Sequence, residues 1–232
     1  MATPSSTPLL RADALCHREL RGISLAIEAG GLTMIGGAGA DTLLRILGLL
    51  DRAEAGEVWL EGQPTSTLDD AARLELRNRA FGYVFAEPFV LDSFSVAENI
   101  AMPLFKISGY EIEPARIRTA QMLEFTGLID AADLGVSELP LHDHYRIALA
   151  RALAVKPRIL IAEQAGLHIP APELANFAAL LRKVPEALGV SVIATSPAGA
   201  EPFHPDREIR LEQGTVALDT RPVIVEEAPA HE

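Results

Sequence analysis

The chain has 232 residues and a mass of 24.9 kDa, enough for one sizeable domain or a core with a small subdomain. Its 49% hydrophobic and 22% charged content excludes disorder for the bulk of the chain. With 20 basic against 32 acidic residues the net charge is −12, which argues against binding nucleic acid or anionic lipid through the whole surface.

Met1 to Pro8 reads as a loose leader and lacks the basic-then-apolar pattern of a secretory signal, so a cytosolic chain is expected. Cys16 is the single cysteine, which excludes an internal disulfide and a cysteine-based zinc cluster. Ile23, Leu25 and Ile27 alternate with Ser24, Ala26 and Glu28, the pattern of a half-buried strand. A turn at Ala29-Gly30-Gly31 leads to the apolar run Leu32 to Ile35. The glycine-rich loop Gly36-Gly37-Ala38-Gly39-Ala40 follows, and then a helical pattern from Asp41 to Leu50. Strand-like runs recur at Val58–Leu60, Phe81–Phe85, Arg158–Ala162 and Ser191–Ala194. Helical patterns cover Asp69–Arg79, Pro114–Thr126, Leu141–Ala154 and Ala171–Val184. Continuous apolar strands followed by helices predict an α/β fold, with a mostly parallel sheet covered on both faces. Phe105 to Ala154 carries helical patterns and no convincing strand, which reads as an inserted helical subdomain. The longest charge-free stretch, Ala187 to Ala200, is too short and too polar to span a bilayer. The end, from Pro222 to Glu232, reads as an acidic tail, and no internal repeat is present.

Several segments occur in the order found in one family. They are Gly56-Glu57-Val58-Trp59-Leu60, Leu76-Arg77-Asn78-Arg79, Gly82-Tyr83-Val84-Phe85, Ser95-Val96-Ala97-Glu98-Asn99-Ile100-Ala101-Met102-Pro103-Leu104 and Arg146-Ile147-Ala148-Leu149-Ala150-Arg151-Ala152-Leu153, with Lys156-Pro157-Arg158 before a strand. Together they resemble the ATP-binding-cassette transporter ATPases of the lipoprotein-release and macrolide-export type, over nearly all of residues 9–215. The resemblance implies a P-loop cassette core at 9–105 and 155–215, with an antiparallel β edge near 9–35 and 56–60. It also implies an inserted helical subdomain at 106–154 and leaves 1–8 as leader and 216–232 as tail. The family binds ATP and magnesium.

The site positions depart from the family pattern together. Its phosphate loop, G-x-x-x-x-G-K-[ST], cradles phosphates with backbone N–H groups and a lysine, while a hydroxyl holds magnesium. Aligned on Gly39 and Leu43-Leu44, this chain has Ala40 for the lysine, Asp41 for the first hydroxyl and Thr42 for the second. Counting from Gly36 through Gly37 and Ala38 to Gly39, the cradle is two residues short. A carboxylate at Asp41 beside phosphates is unfavourable: like charges about 4 Å apart cost on the order of 4 kcal/mol at an effective dielectric near 20. Taken alone, Asp41 reads as a helix N-cap.

Ala86, with Glu87 beside it, stands for the loop glutamine. The signature motif reads Leu139-Pro140-Leu141-His142-Asp143, without its serine and glycines. Glu163 replaces the magnesium-associated aspartate, Gln164 the catalytic glutamate and Ser196 the switch histidine. An amide at Gln164 cannot accept the attacking water's proton. The adenine-stacking aromatic is missing near Cys16-His17. No intact catalytic residue, no metal and no cofactor are therefore expected.

His142-Asp143-His144 invites a metal reading, but residues two apart on a helix do not face each other, so a solvated helix start is expected. Gly37-Ala38-Gly39 followed by Thr42 is a poor dinucleotide fingerprint.

By resemblance, the partners are an integral-membrane permease and a second cassette subunit, in a homodimer or a heterodimer, with no nucleic acid. The permease groove would include Phe85, Glu87, Phe89, Val90 and Leu91, residue types enriched at interfaces; the same apolar side chains also read as core. Family sites are composite, the phosphate loop of one subunit facing the signature of the other, so this chain impairs both sites of any pair. The reading is a catalytically degenerate cassette subunit, peripheral on the inner face of the cell membrane. Two alternatives stand beside it: a subunit with weak or atypical ATP binding that drives transport, and a free soluble scaffold or regulator.

Overall fold

The computed structural model describes residues 7–221. The expected tail from Pro222 to Glu232, and the leader up to Ser6, lie outside the described residues. In chain order the strands are β1 (Leu10–His17), β2 (Leu20–Ile27), β3 (Leu32–Gly37), β4 (Ala55–Leu60), β5 (Gln63–Pro64), β6 (Phe81–Val84), β7 (Ile159–Ala162), β8 (Ser191–Ala194), β9 (Arg207–Glu212) and β10 (Thr215–Asp219). The helices are α1 (Ala40–Leu47), α2 (Asp70–Ala80), α3 (Val96–Lys106), α4 (Ile112–Thr126), α5 (Leu141–Ala154) and α6 (Ala171–Leu188).

Two sheets form. β2-β1-β4-β5 is antiparallel, and β10-β9-β3-β8-β7-β6 is parallel except for the β9–β10 hairpin. Within the parallel core Ile161 pairs with Ile193 on one side and with Tyr83 on the other. Every residue of β7 and β8 is buried, as strands covered on both faces require. Successive side chains alternate between layers. Leu160, Ala162, Val192 and Ala194 join the helical layer around Tyr145, Phe177 and Leu181. Ile159, Ile161 and Ile193 join α1 and the antiparallel sheet through Leu43, Leu44, Leu10 and Ile23.

Two boundaries differ from the sequence reading, and β1, to which that reading gave no pattern, is irregular. β1 bends through Ala14 at φ 47, where the pairing register shifts, so its alternation is broken. Gly56 lies under that bend; a Cβ there would meet the Ala14 carbonyl oxygen at 2.5 Å. α3 starts at Ser95 with a capping box, in which Ser95 Oγ accepts from Glu98 N and Glu98 Oε2 from Ser95 N. It packs on α4 and α5, so the helical layer begins near 95 rather than at 106. Residues 216–219, expected in the tail, are strand. β10 pairs with β9 and is tied by Asp219, which holds the Arg207 guanidinium through two hydrogen bonds.

Candidate functional site

β3 ends on Gly36 and Gly37, and α1 starts after Gly39, a residue at φ 88. Gly37 has φ 90 and runs so close to β9 that a Cβ would overlap the Leu211 carbonyl oxygen. That approach fixes the path of the short loop Gly36-Gly37-Ala38-Gly39 and permits only glycine at 37. Ala40, at the lysine position, is a buried methyl side chain on the first turn of α1. The loop thus brings no cation to its own rim.

Asp41 is not the N-cap. Gly39 occupies that position and no side chain caps the helix. Instead the Asp41 carboxylate turns toward the ends of the parallel strands. Its Oδ2 accepts from Gln164 Nε2 at 2.8 Å, and its Oδ1 accepts from the Thr195 hydroxyl. Thr195 is 3% exposed, and its Oγ1 accepts from the backbone N–H of Gln164 at 2.8 Å. Gln164 itself sits at φ 46, a left-handed conformation uncommon for a residue with a side chain. Thr42 faces away, donating to Glu19 Oε1 at 2.8 Å.

Glu163, next to Gln164, has a side chain only 14% exposed. The Arg45 Nη1 group lies 3.3 Å from both of its carboxylate oxygens, and Arg45 Nε donates to Asp51 at 2.8 Å. The hydrogen bond to Asp51 holds the guanidinium above its ordinary pKa. The same contact holds the Asp51 carboxyl below its ordinary value. Ser196 donates from Oγ to the Ala165 carbonyl at 2.9 Å and accepts from Ala198 N, so it is used in a local turn. Among the described residues no group of three or more His, Cys, Asp or Glu is placed to hold a metal.

The side chains around the loop are thus largely engaged with one another. The Asp41 carboxylate is committed to Thr195 and Gln164 and that of Glu163 to Arg45. A further carboxylate, Glu19, lies against Gly39 and accepts from Thr42, and no cation lies at position 40. Thr195 and Arg45 escaped the sequence reading. Their signals were a hydroxyl directly before Ser196 and a lone cation in the otherwise apolar run Leu43 to Leu50.

The signature residues lie elsewhere, at the start of α5, and share no hydrogen bond with the Asp41 cluster. Leu139 packs partly buried against the helical core, Pro140 is the N-cap position, and Leu141 is exposed. Asp143 pairs with Arg146 at 3.1 Å and His144 reaches the Val136 carbonyl oxygen at 3.0 Å. His142 to His144 are half-buried.

The segment after β6 is clasped from three sides. The Tyr145 hydroxyl donates to the Ala86 carbonyl at 2.5 Å, and burial pushes that phenol up in pKa. Arg151 donates to the carbonyls of Pro88 and Phe89 at 3.0 and 2.8 Å. Glu87 meets His168 at 3.0 Å. Asn99, wholly buried, pairs with both the N–H and the carbonyl of Leu91. Phe89 is 65% exposed at φ 44, with Phe85 edge-on at 5.9 Å. Core packing is thereby excluded for Phe89. Val90 and Leu91 are half-buried, and Phe94 is exposed nearby in the chain.

The chain matches the model of the ABC transporter family over residues 20–165. It is 34% identical over 201 residues to the lipoprotein-releasing system ATP-binding protein LolD of Myxococcus xanthus, covering 85% of this chain and 89% of that protein. To LolD 2 of Caulobacter vibrioides it is 36% identical, covering 86% and 88%. Among solved structures, the dimeric post-hydrolysis state of the ATP-binding cassette MJ0796, bound to ADP and Pi, superposes with a TM-score of 0.79. The identity there is 26%, over 91% of this chain and 98% of that one. CbiO1 of Clostridium perfringens, described as part of the ABC transporter complex cbiONQ, superposes at 0.83. It is 21% identical over 92% and 88% of the two chains, and shows the fold alone.

Proposed function

This chain belongs to the ABC transporter family, and from that premise we propose that it is the cassette subunit of a transporter of the lipoprotein-releasing type, partnered by a membrane permease and inactive as an ATPase at its own site. One observation carries the reading. The Asp41 carboxylate is hydrogen-bonded to Gln164 and Thr195 in front of a loop without a lysine, so an anionic phosphate meets a fixed negative charge. The amide of Gln164 is spent as a donor to Asp41 and offers no general base.

Partnership with a permease rests on the relatives' names and on the clasped, outward-facing Phe89 segment. No helix among the described residues is long and apolar enough to cross a membrane, so membrane attachment in this reading comes through the partner. The domain division that goes with it is a sheet core, a helical region from about 95 to 154, and a last hairpin that closes the sheet edge at 219.

A second reading is favoured by the similarity to proteins named ATP-binding: this subunit still binds ATP weakly or atypically and drives transport. A melting curve with and without Mg-ATP separates the two. A site with Kd of about 10 μM adds roughly 2.7 kcal/mol at about 1 mM ATP, a shift of about 5–10 °C for a chain of this size. A closed site gives no resolvable shift. A clear upshift, or turnover above about 0.1 per second, selects the second reading.

A further inference from the structure

Asp41 and Gln164 belong to different motifs, yet the fold sets them face to face across 123 positions of sequence. Three hydrogen bonds close a ring: Gln164 Nε2 to Asp41 Oδ2, the Thr195 hydroxyl to Asp41 Oδ1, and Gln164 N to Thr195 Oγ1. One member comes from the first turn of α1, one from the turn after β7 and one from the end of β8. Two of the three bonds come from Gln164, whose left-handed backbone at φ 46 needs such restraint. Ala165 N donates to the Thr195 carbonyl at 2.7 Å, which stitches the same two turns together from the other side.

We propose that Asp41 and Gln164 form an internal latch, a mutually dependent carboxylate–amide pair that ties the ends of β7 and β8 to α1 and keeps this site out of any nucleotide cycle. The proposal rests on the reading of the site as closed to ATP. Its reason is chemical. A glutamate at 164 would aim a second carboxylate at Asp41 where the amide now donates, and two carboxylates in hydrogen-bond contact cannot both ionise without large cost. The amide at 164 and the carboxylate at 41 are therefore one coupled change rather than two independent losses. A glutamate restored at 164 alone would titrate as a pair with Asp41 rather than as an independent base.

A charge-swap cycle on the full chain tests this, reading melting temperatures near neutral pH for the native protein, Gln164→Glu, Asp41→Asn and the double variant, each with and without Mg-ATP. Gln164→Glu places two carboxylates together and Asp41→Asn two amides, and each is expected to melt several degrees lower, about 3–8 °C. The double variant restores one carboxylate and one amide in reversed order and is expected to recover most of the loss. Additive losses, with the double variant the least stable of the four, overturn the latch and leave the proposed function standing. If Gln164→Glu cannot be obtained folded, recovery of a folded double variant supports the latch, and failure of the double overturns it. An upshift of the native chain by Mg-ATP overturns the closed-site reading and the latch's role with it, whatever the coupling.

Discussion

Asn99 has no exposed surface, yet its side chain satisfies three backbone groups: the N–H and carbonyl of Leu91 and the carbonyl of Ser95. Replacing it by Ala leaves the Leu91 N–H without its acceptor, at about 1–3 kcal/mol, while the two carbonyls keep the Phe94 and Asn99 backbone N–H groups as donors. Urea unfolding should show a midpoint reduced accordingly with an unchanged slope. Ten positions earlier, Phe89 sits at the other extreme. Because it is 65% exposed, Phe89→Asp should leave the melting temperature within about 2 °C, since surface changes usually stay within ~0.5 kcal/mol. Co-purification of a multi-spanning partner from detergent-solubilised membranes should fail with this variant. Retention of the partner would remove Phe89 from the docking surface. From sequence the same aromatic read equally as core or as surface, because hydrophobicity does not say which side of a loop faces water.

Arg45 yields a pH signature. The Asp51 carboxyl is held below its ordinary 3.8 by the Arg45 hydrogen bond. A depressed folded-state value stabilises the protein above the unfolded value, and the contribution disappears as pH falls through the folded one. Arg45→Met should therefore lower stability at pH 6, also by leaving Glu163 without its cation, and the gap to the native protein should narrow as pH drops below about 4. Denaturant midpoints taken from pH 3 to 6 check this; a gap of constant size would mean that the ion pair is not its source.

At the scale of elements, β10 shows how a polar segment becomes strand. Thr215, Val216, Leu218 and Asp219 carry little hydrophobic pattern, and the strand's faces are half-buried or exposed. Its anchor is the Arg207–Asp219 pair, with side chains only 7% and 13% exposed, and Arg207 also donates to the Ala26 carbonyl. Burial pushes the Asp219 carboxyl up, but hydrogen bonds from Arg207 and from the Arg221 backbone outweigh it and leave the group below its ordinary value. Asp219→Asn leaves a buried guanidinium without its counter-charge and should cost about 2–4 kcal/mol. Faster hydrogen exchange across β9 and β10, ahead of the parallel core, is the expected readout. α3 shows the complementary case: in the sequence reading Ser95 to Leu104 served only the family resemblance. Its Ser95/Glu98 capping box and its membership of the helical layer, through contacts with α4 and α5, come from the structure.

For the whole molecule, the helical layer and the sheet share one apolar cluster. Tyr145, Leu149 and Phe177 pack with Met34, Val84, Leu160 and Val192, so the region from 95 to 154 has no separate core of its own. Thermal unfolding should accordingly give one transition, with far-UV circular dichroism and tyrosine fluorescence coincident. Two resolved transitions would mean that the helical region is an independent unit.

The sequence by itself determined the α/β class, the order of the parallel core strands' apolar runs, and the family, because strand burial and helix periodicity are local patterns and the matching segments are contiguous. It also marked Ala40, Asp41 and Gln164 as departures. Only the tertiary structure decided what those departures do to one another. Asp41 read as an N-cap when its neighbours in sequence were the only ones known; folded, it meets Thr195 and Gln164 from two other strand ends, and Glu163 meets Arg45. Hydrogen bonds and ion pairs act over about 3 Å, whatever the separation along the chain, so partners more than a hundred residues apart leave no local pattern to read.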